Sequence, residues 1–215
     1  MKELYSYRNA VEKEMDRLVD DAKATYKDMD WSDDVFDKLK ELSTAGKMFR
    51  SCLMLKNLEY LSVEPTKKHI KIGAAIELYH TSILIHDDYM DQDSKRRGLE
   101  TFHSYFYRKI GDEHCSNSMA VAVGDLGLFL ATKIVDETEI SGPITILCKE
   151  FISTCLAQLN DMAFALEKEP SKGDILDMYR CKTGRYTFSL PFILSSSLAE
   201  EERDDYGGLG EILGI

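Results

Sequence analysis

The residue types most suggestive of chemistry are three carboxylates in one short segment, Asp87, Asp88 and Asp91. On a helix, Asp87 and Asp91 share one face, with Cβ atoms about 5–6 Å apart. Each close pair would cost on the order of 3 kcal/mol at an effective dielectric constant of about 20, and the negative end of the helix dipole adds to the repulsion. A hard, oxygen-seeking cation such as Mg²⁺ would offset that cost. A solvated acidic helix end is the alternative interpretation.

Two basic groups could hold an anion. Arg96 and Arg97 follow the carboxylates in a polar stretch, and paired guanidinium groups suit phosphate oxygens. Lys47 and Arg50 follow Gly46 at the start of a predicted helix, where free amides and two cations favour an anion. The glycine-rich run of a P-loop is absent before Lys47. Solvated surface cations are the alternative for both groups, and the nearby aspartates favour an anion site for the arginines.

Polar side chains also interrupt apolar helices. His80 lies on the most apolar predicted helix, and Gln158 and Asp161 interrupt another. Such groups face a wet cavity or form a buried hydrogen-bond network. Lys182 lies at the end of a predicted helix, whose C-terminus it could simply complement. A metal site, several cations and an apolar helical interior together indicate a substrate with a diphosphate head and a hydrocarbon body.

The elements that must position these residues are helices. Apolar residues recur at spacings of three and four along nearly the whole chain, with no internal repeat and no dividing linker. This predicts one all-α domain over 1–215. Helices are predicted near 4–29, 34–43, 48–61, 66–91, 102–111, 116–137, 143–166 and 173–182. Residues 92–101 are predicted as a loop, and a further helix is predicted to start near Leu209.

Composition narrows the class of protein. The 215 residues are 44% hydrophobic and 30% charged with a net charge of −11, which disfavours binding to nucleic acid or an acidic membrane face. Five cysteines without C-x-x-C spacing and an acidic N-terminus that lacks the features of a signal peptide predict a cytoplasmic protein. The apolar run Met119–Val135, interrupted by two charged residues, is predicted to be a buried helix and not a transmembrane segment.

The motifs resemble a known family, the trans-polyprenyl diphosphate synthases or polyprenyl synthetases. The resemblance runs from Gly46 to the end of the chain, through G-K-M-F-R at 46–50, E-L-Y-H-T-S-I-L-I-H-D-D-Y-M-D at 77–91, R-R-G at 96–98, T-F-H at 101–103, V-G-D at 123–125, Q-L-N-D at 158–161 and K-T-G at 182–184. It implies the all-α isoprenoid synthase fold, a helical bundle around a central apolar cavity. It also implies a Mg²⁺-dependent prenyltransferase that condenses isopentenyl diphosphate with an allylic diphosphate and forms a homodimer.

The resemblance also assigns roles to residues. It implies that Asp87, Asp88 and Asp91 bind Mg²⁺ and the allylic diphosphate, with Gln158 and Asp161 beside the reacting carbons. Arg96, Lys182 and Thr183 are implied as contacts of the allylic diphosphate. The implied isopentenyl diphosphate site comprises Gly46, Lys47, Arg50, His80 and Arg97.

Product length is expected to depend on the helix before the aspartates. In the family, bulk on this helix sets the floor of the pocket, and here Tyr79, Ser82 and Ile83 lie near one stripe of it. Ser82 and Ile83 are not aromatic, whereas Tyr79, one turn deeper, is bulky. The expected product has about four isoprene units, as in geranylgeranyl diphosphate.

The sequence departs from the family pattern in two places. Ser51 replaces the usual proline, and the second aspartate-rich motif is absent. The chain stops at Ile215 within an apolar pattern, so we expect a piece that lacks C-terminal helices and is incomplete as a catalyst. A non-catalytic subunit of a heteromeric synthase is one alternative. A terpene cyclase is another, disfavoured because Lys47, Arg50 and His80 would have no second diphosphate to hold.

Overall fold

A computed structural model describes residues 3–164, 171–201 and 206–213 of the chain. Helices dominate, as predicted. They are a 3₁₀ turn Leu4–Tyr7, α1 Arg8–Thr25, α2 Ser32–Thr44, α3 Phe49–Tyr60, α4 Lys67–Met90, α5 Phe102–Ile110, α6 Glu113–Asp136, α7 Pro143–Phe164, α8 Lys172–Tyr179, a π-helical segment Arg180–Ser189, α9 Leu190–Leu198 and α10 Tyr206–Leu213. A small antiparallel hairpin, β1 Lys95–Arg96 with β2 Leu99–Glu100, separates α4 from α5.

Three predicted boundaries were wrong. The first α-helix ends at Thr25 and not near residue 29. The stretch 92–101, predicted as a loop, contains the β1–β2 hairpin. The chain also stays helical from residue 180 to residue 198, where no element was predicted beyond residue 182. The predicted end of α7 at residue 166 lies outside the described residues.

The chain divides into two compact units. The first comprises Met1–Ser51 and Ile70–Thr138, and the second comprises Cys52–His69 and Glu139–Ile215. The division passes through α3 near its start and through α4 near its start. The predicted single domain stays a prediction.

The core of the first unit follows the predicted helical periodicity. Val11, Met15 and Leu18 form the buried face of α1, and Phe102 and Phe106 of α5 are 1% and 0% exposed. Burying a side chain of this size contributes about 1.5–3 kcal/mol. Such residues fix α1 and α5 in the first unit, which also contains the aspartates.

A glycine and an aspartate define the turn from α5 to α6. Gly111 follows α5 with a φ of 77°, in the left-handed region that glycine adopts without steric cost. The Asp112 side chain accepts a hydrogen bond of 2.7 Å from the Cys115 amide and so caps α6. The two residues end one helix and start the next with no intervening loop.

Helix α6 is buried on one side only. Ala120 and Ala131 are fully buried, whereas Phe129 is 76% exposed, so the predicted burial holds for one face. Among the described residues, α6 is also the one helix long and apolar enough to cross a membrane, and 39% of its most apolar stretch is buried. An apolar groove of about 390 Å³ lies between the exposed face of α6 and residues near Trp31, and it contains none of the predicted site residues.

The second unit packs α3, α7 and α9 around their own apolar residues. Leu58, Leu147 and Leu194 are fully buried. The Asn57 amide donates a buried hydrogen bond of 2.6 Å to Ser195 Oγ. A capping box between Ser171 and Asp174 starts α8, since each side chain bonds the backbone amide of the other residue.

Helix α10 lies against the π-helical segment at two glycines. A Cβ atom on Gly210 would lie 2.3 Å from the Ser189 backbone nitrogen, and a Cβ on Gly184 would lie 2.9 Å from the Glu211 Cα atom. Gly208, on the same helix, has no atom within 4 Å of an added Cβ. The absence of side chains at Gly184 and Gly210 therefore permits this approach.

Replacing Gly210 with alanine should destabilise the protein, because the new methyl group would overlap the Ser189 backbone. Overpacking of this kind costs about 1–3 kcal/mol. Gly208→Ala is the matched control and should stabilise α10 by up to about 1 kcal/mol through helix propensity. Thermal unfolding followed by circular dichroism measures both variants. Equal unfolding midpoints would contradict the close approach of the two segments.

Candidate active site

The three aspartates lie at the C-terminal end of α4. The Asp91 amide donates a hydrogen bond of 2.8 Å to the Asp87 carbonyl oxygen. Helical geometry therefore continues one residue past the last residue of α4. Asp88 is buried at 2% exposed, Asp87 is partly exposed and Asp91 is exposed. The predicted acidic group therefore spans the boundary between the protein interior and solvent.

The β1–β2 hairpin holds a cation against these carboxylates. Arg96 Nε donates to Asp88 Oδ1, and Arg96 Nη2 lies 3.7 Å from Asp87 and 3.5 Å from Asp93. In the structure Asp88 is thus paired with Arg96. The family resemblance implied that Asp88 and Arg96 both bind the allylic diphosphate, but it did not predict the direct contact between them.

Burial dominates the electrostatics of Asp88. It raises the pKa of the Asp88 carboxyl to about 6, against the opposing effect of the hydrogen bond from Arg96 and its charge. The nearby charges of Asp87 and Asp93 raise this pKa further. A carboxylate kept buried at this cost, at the edge of a cleft, is typical of a functional site.

The turn of the hairpin points Arg97 towards Gly46. Arg97 and Gly98 have φ values of 55° and 82°, as the two central residues of a type I′ turn require. Arg97 Nη1 donates a long hydrogen bond of 3.4 Å to the Leu42 carbonyl. A Cβ on Gly46 would lie 2.8 Å from Arg97 Nη1, so the lack of a side chain at Gly46 leaves room for the guanidinium group.

His80 lies about two helical turns before the aspartates and shares its surroundings with three arginines. Burial, followed by the charges of Arg50, Arg97 and Arg96, lowers the pKa of His80 well below its usual value. His80 is therefore neutral near pH 7 and adds hydrogen-bonding capacity without charge. The structure thus groups His80, Arg50 and Arg97 of the predicted isopentenyl diphosphate site. Lys47 follows Gly46 directly, but its side chain is exposed, and the described part of the structure shows no contact between it and these three residues.

A small cleft joins these cations to apolar walls. Asp88, Arg96 and Arg97 line its polar end, and the remaining lining residues are Leu42, Thr81, Leu84 and Ile85. The cleft has a volume of about 10 Å³, room for about one water molecule, so it marks where charged and apolar side chains meet and does not itself hold a substrate.

Glu77 was missed by the sequence reasoning. It is 4% exposed and accepts two hydrogen bonds, 2.9 Å from the Ser51 amide and 2.8 Å from Ser51 Oγ. The serine that replaces the family's usual proline therefore supplies both donors, including an N–H that proline lacks. An acidic residue in the most apolar part of α4, one turn before His80, was the available signal.

Two of the three residues expected to set product length, Tyr79 and Ser82, face α6. Tyr79 is 5% exposed and its hydroxyl bonds Thr132 Oγ1. Ser82 is fully buried, and its hydroxyl donates a hydrogen bond to the Leu78 carbonyl oxygen. A Cβ atom on Gly127 of α6 would lie 2.1 Å from Ser82 Oγ. Ile83 is partly exposed. Their role in product length stays a prediction.

The remaining predicted residues belong to the second unit. Gln158 is half-buried on α7, and Thr183 is half-buried in the π-helical segment. The side chain of Lys182 lies outside the described part of the structure. Arg185, which the sequence reasoning missed, anchors this segment by two hydrogen bonds to the buried Glu150, of 2.7 and 3.2 Å, and one to Glu211.

The donor set at the end of α4 suits Mg²⁺ when a substrate supplies further oxygens. Within the described ranges, no three acidic, histidine or cysteine side chains converge closely enough to hold a metal ion by themselves. Asp87 and Asp91 offer oxygen ligands on one helix face, and Mg²⁺ is usually bound by one or two carboxylates together with phosphate oxygens and water. The residues present therefore fit this ion in combination with a diphosphate.

Comparison with known proteins supplies the family. The family model described as polyprenyl synthetase matches residues 31–215. The chain belongs to the polyprenyl synthetase family. The isoprenoid synthase fold expected from the sequence is thereby confirmed.

Two curated relatives and one solved structure illustrate the similarity. A short chain isoprenyl diphosphate synthase of Methanocaldococcus jannaschii is 31% identical over 191 residues, covering 86% of this polyprenyl synthetase chain and 54% of the relative. A geranylgeranyl pyrophosphate synthase of Geoglobus acetivorans is 30% identical over 148 residues, covering 66% and 43%. The crystal structure of geranylgeranyl pyrophosphate synthase from Corynebacterium glutamicum, complexed with isoprenyl diphosphate and magnesium, superposes with a TM-score of 0.86 at 21% identity and covers 98% and 65%. The chain spans about half the length of the curated relatives it matches.

Replacing Asp88 with asparagine should stabilise the protein at neutral pH. Because folding raises the pKa of Asp88 from 3.8 to about 6, the folded state binds this proton more tightly than the unfolded state. The native carboxylate therefore lowers stability progressively as pH rises from about 4 to about 6, by up to about 3 kcal/mol, and the loss stays constant at higher pH.

The stability gain of Asp88→Asn should accordingly be small below pH 4 and largest above pH 6. Urea unfolding at a series of pH values measures it. Asp91→Asn, at an exposed carboxylate on the same turn, is the matched control and should show a much smaller gain. A gain for Asp88→Asn that does not change with pH would contradict the assignment of a raised pKa.

Proposed function

We propose that the protein is a Mg²⁺-dependent prenyltransferase that condenses isopentenyl diphosphate with an allylic diphosphate into a geranylgeranyl-type product. The observation that carries this proposal is the group of charges at the end of α4, where Arg96 pairs with buried Asp88 and lies 3.7 Å from Asp87. Curated relatives named geranylgeranyl, farnesyl and short chain isoprenyl diphosphate synthases support the same reaction.

The charges of the first unit suit two different anions. Asp87 and Asp91 would hold Mg²⁺ at the end of α4, with Arg96 beside them, which suits the allylic diphosphate. Gly46, Lys47, Arg50, His80 and Arg97 would receive isopentenyl diphosphate. The effect of the three guanidinium charges on the His80 pKa supports one cationic neighbourhood for these residues.

In the proposed reaction, the allylic carbon–oxygen bond breaks and the diphosphate leaves with the electron pair. The isopentenyl double bond attacks the allylic cation, and the adjacent carbon loses a proton to the released diphosphate. Mg²⁺, when bound, supplies positive charge that offsets the growing charge of the leaving group. The guanidinium group of Arg96 would act in the same direction, while the apolar walls exclude the water that would quench the cation.

The residues of the second unit enter the proposal through their motifs. By the family resemblance, Lys182 and Thr183 contact the allylic diphosphate, and Gln158 lies beside the reacting carbons. The double hydrogen bond from Arg185 to buried Glu150 holds the backbone of the K-T-G segment in place, which supports a fixed position for Thr183.

We also infer a cytoplasmic homodimer. The location rests on composition and on the five cysteines, all of them described and none in a disulfide. The dimer rests on the family resemblance.

Incorporation of labelled isopentenyl diphosphate by the full-length protein tests the function. With an allylic primer and Mg²⁺, we expect longer prenyl diphosphates, identified by chromatography. Asp87→Ala should lower the rate at least about 100-fold, since charge on the leaving group would go unmet. Arg50→Ala should mainly raise KM for isopentenyl diphosphate, and Arg17→Ala, which removes an exposed arginine of α1, is the control that should change neither constant.

Two results would favour the rival functions. Hydrocarbon products without incorporation of label would indicate a terpene cyclase. Folded full-length protein that incorporates no label alone, but does so when mixed with a second subunit, would indicate a non-catalytic subunit.

Tyr79→Ala should lengthen the product, because it removes the bulkiest of the three residues expected at the floor of the pocket. Tyr79→Phe loses only the hydroxyl group that bonds Thr132 and should leave chain length unchanged. The product distribution of each full-length variant is read by chromatography. An unchanged distribution for Tyr79→Ala would refute the floor assignment.

A further inference from the structure

The V-G-D motif at 123–125 has no role in the proposed reaction, yet it contacts the aspartate motif. Gly124 is buried in α6, and the imidazole ring of His86 occupies the space beside it. A Cβ on Gly124 would lie 2.2 Å from His86 Nε2 and 2.4 Å from His86 Cδ2. No side chain can be added at residue 124 unless the His86 ring moves.

Hydrogen bonding fixes the same ring. His86 Nε2 lies 3.1 Å from the Val121 carbonyl oxygen and 3.4 Å from Asp125 Oδ1. A carbonyl oxygen only accepts, so Nε2 carries the hydrogen in this contact. The ring is therefore held to α6 both by its shape and by a directed bond.

The position of His86 makes this contact relevant to the diphosphate site. His86 directly precedes Asp87 in α4, and two residues on a helix are separated by about 200° of rotation. His86 thus reaches towards α6, while Asp88 reaches in the opposite direction towards Arg96 of the hairpin. The last turn of α4 is held from both sides.

We propose that Gly124 and His86 are positioning residues: the His86 ring, seated on Gly124, sets the rotation of the α4 turn that carries Asp87 and Asp91. This inference rests on the proposed function, since its consequence is the binding of a metal diphosphate. The V-G-D motif then acts on the site through His86 and does not touch the substrate.

A double-mutant cycle in the full-length protein tests the proposal with Gly124→Ala, His86→Ala and the double variant. Gly124→Ala should lower the unfolding midpoint, and it should weaken binding of Mg²⁺ with inorganic diphosphate, measured by calorimetry, by about 10-fold. It should lower kcat by about 10- to 100-fold with a smaller change in KM for isopentenyl diphosphate, as expected for misplaced catalytic groups.

The decisive comparison is made in the His86→Ala background. Once the ring is absent, Gly124→Ala should have no further effect on the midpoint, on binding or on kcat, so the two changes are strongly non-additive. His86→Gln, which retains an N–H donor, should recover part of the binding lost in His86→Ala.

Other outcomes would overturn the proposal. Additive losses would show that Gly124 acts independently of His86. A lowered midpoint for Gly124→Ala with unchanged diphosphate binding and kcat would show a purely structural contact. If the wild-type protein binds Mg²⁺ and diphosphate but incorporates no label, the prenyltransferase assignment fails, while the binding and unfolding cycle still decides the positioning role.

Discussion

The pairing of buried Asp88 with Arg96 is the interaction on which the site depends. A carboxylate removed from water requires a compensating cation, and Arg96 is brought to it by a hairpin of only six residues. Even with that partner, burial outweighs the compensation and the pKa of Asp88 stays raised. The protein therefore keeps an unfavourable charge in its interior, which is typical of residues retained for binding or chemistry and not for stability.

Strict steric requirements surround this pair. Arg97 adopts a backbone conformation that non-glycine residues rarely take, and its guanidinium group occupies space that a side chain at Gly46 would need. On the other side of α4, the His86 ring lies beside Gly124 in the same way. The two glycines thus leave the space that the guanidinium and imidazole groups fill, and the geometry of the site follows from these two contacts.

The sequence predicted the helices well because their cores are built from regular apolar spacing. Val11, Met15 and Leu18 are buried as that spacing requires. It could not predict the β1–β2 hairpin, since two strands of two residues leave no periodic signal, nor the contact between His86 and Gly124, which joins residues 38 positions apart. The types of the site residues were recognised from the family resemblance, whereas their pairing depends on tertiary structure. Glu77 opens the quoted stretch at 77–91 but was given no role, because its burial and its hydrogen bonds from Ser51 depend on tertiary structure.

The π-helical segment Arg180–Ser189 has a consequence for how this region tolerates insertions and deletions. A π-helix accommodates one residue more per turn than the α-helices on either side. Deleting one residue there would therefore let the segment wind as an ordinary α-helix while α8 and α9 keep nearly the same rotation relative to each other. The same deletion inside an α-helix would rotate everything beyond it by about 100°. A change of one residue in length therefore disturbs the flanking helices less here than it would within α8 or α9.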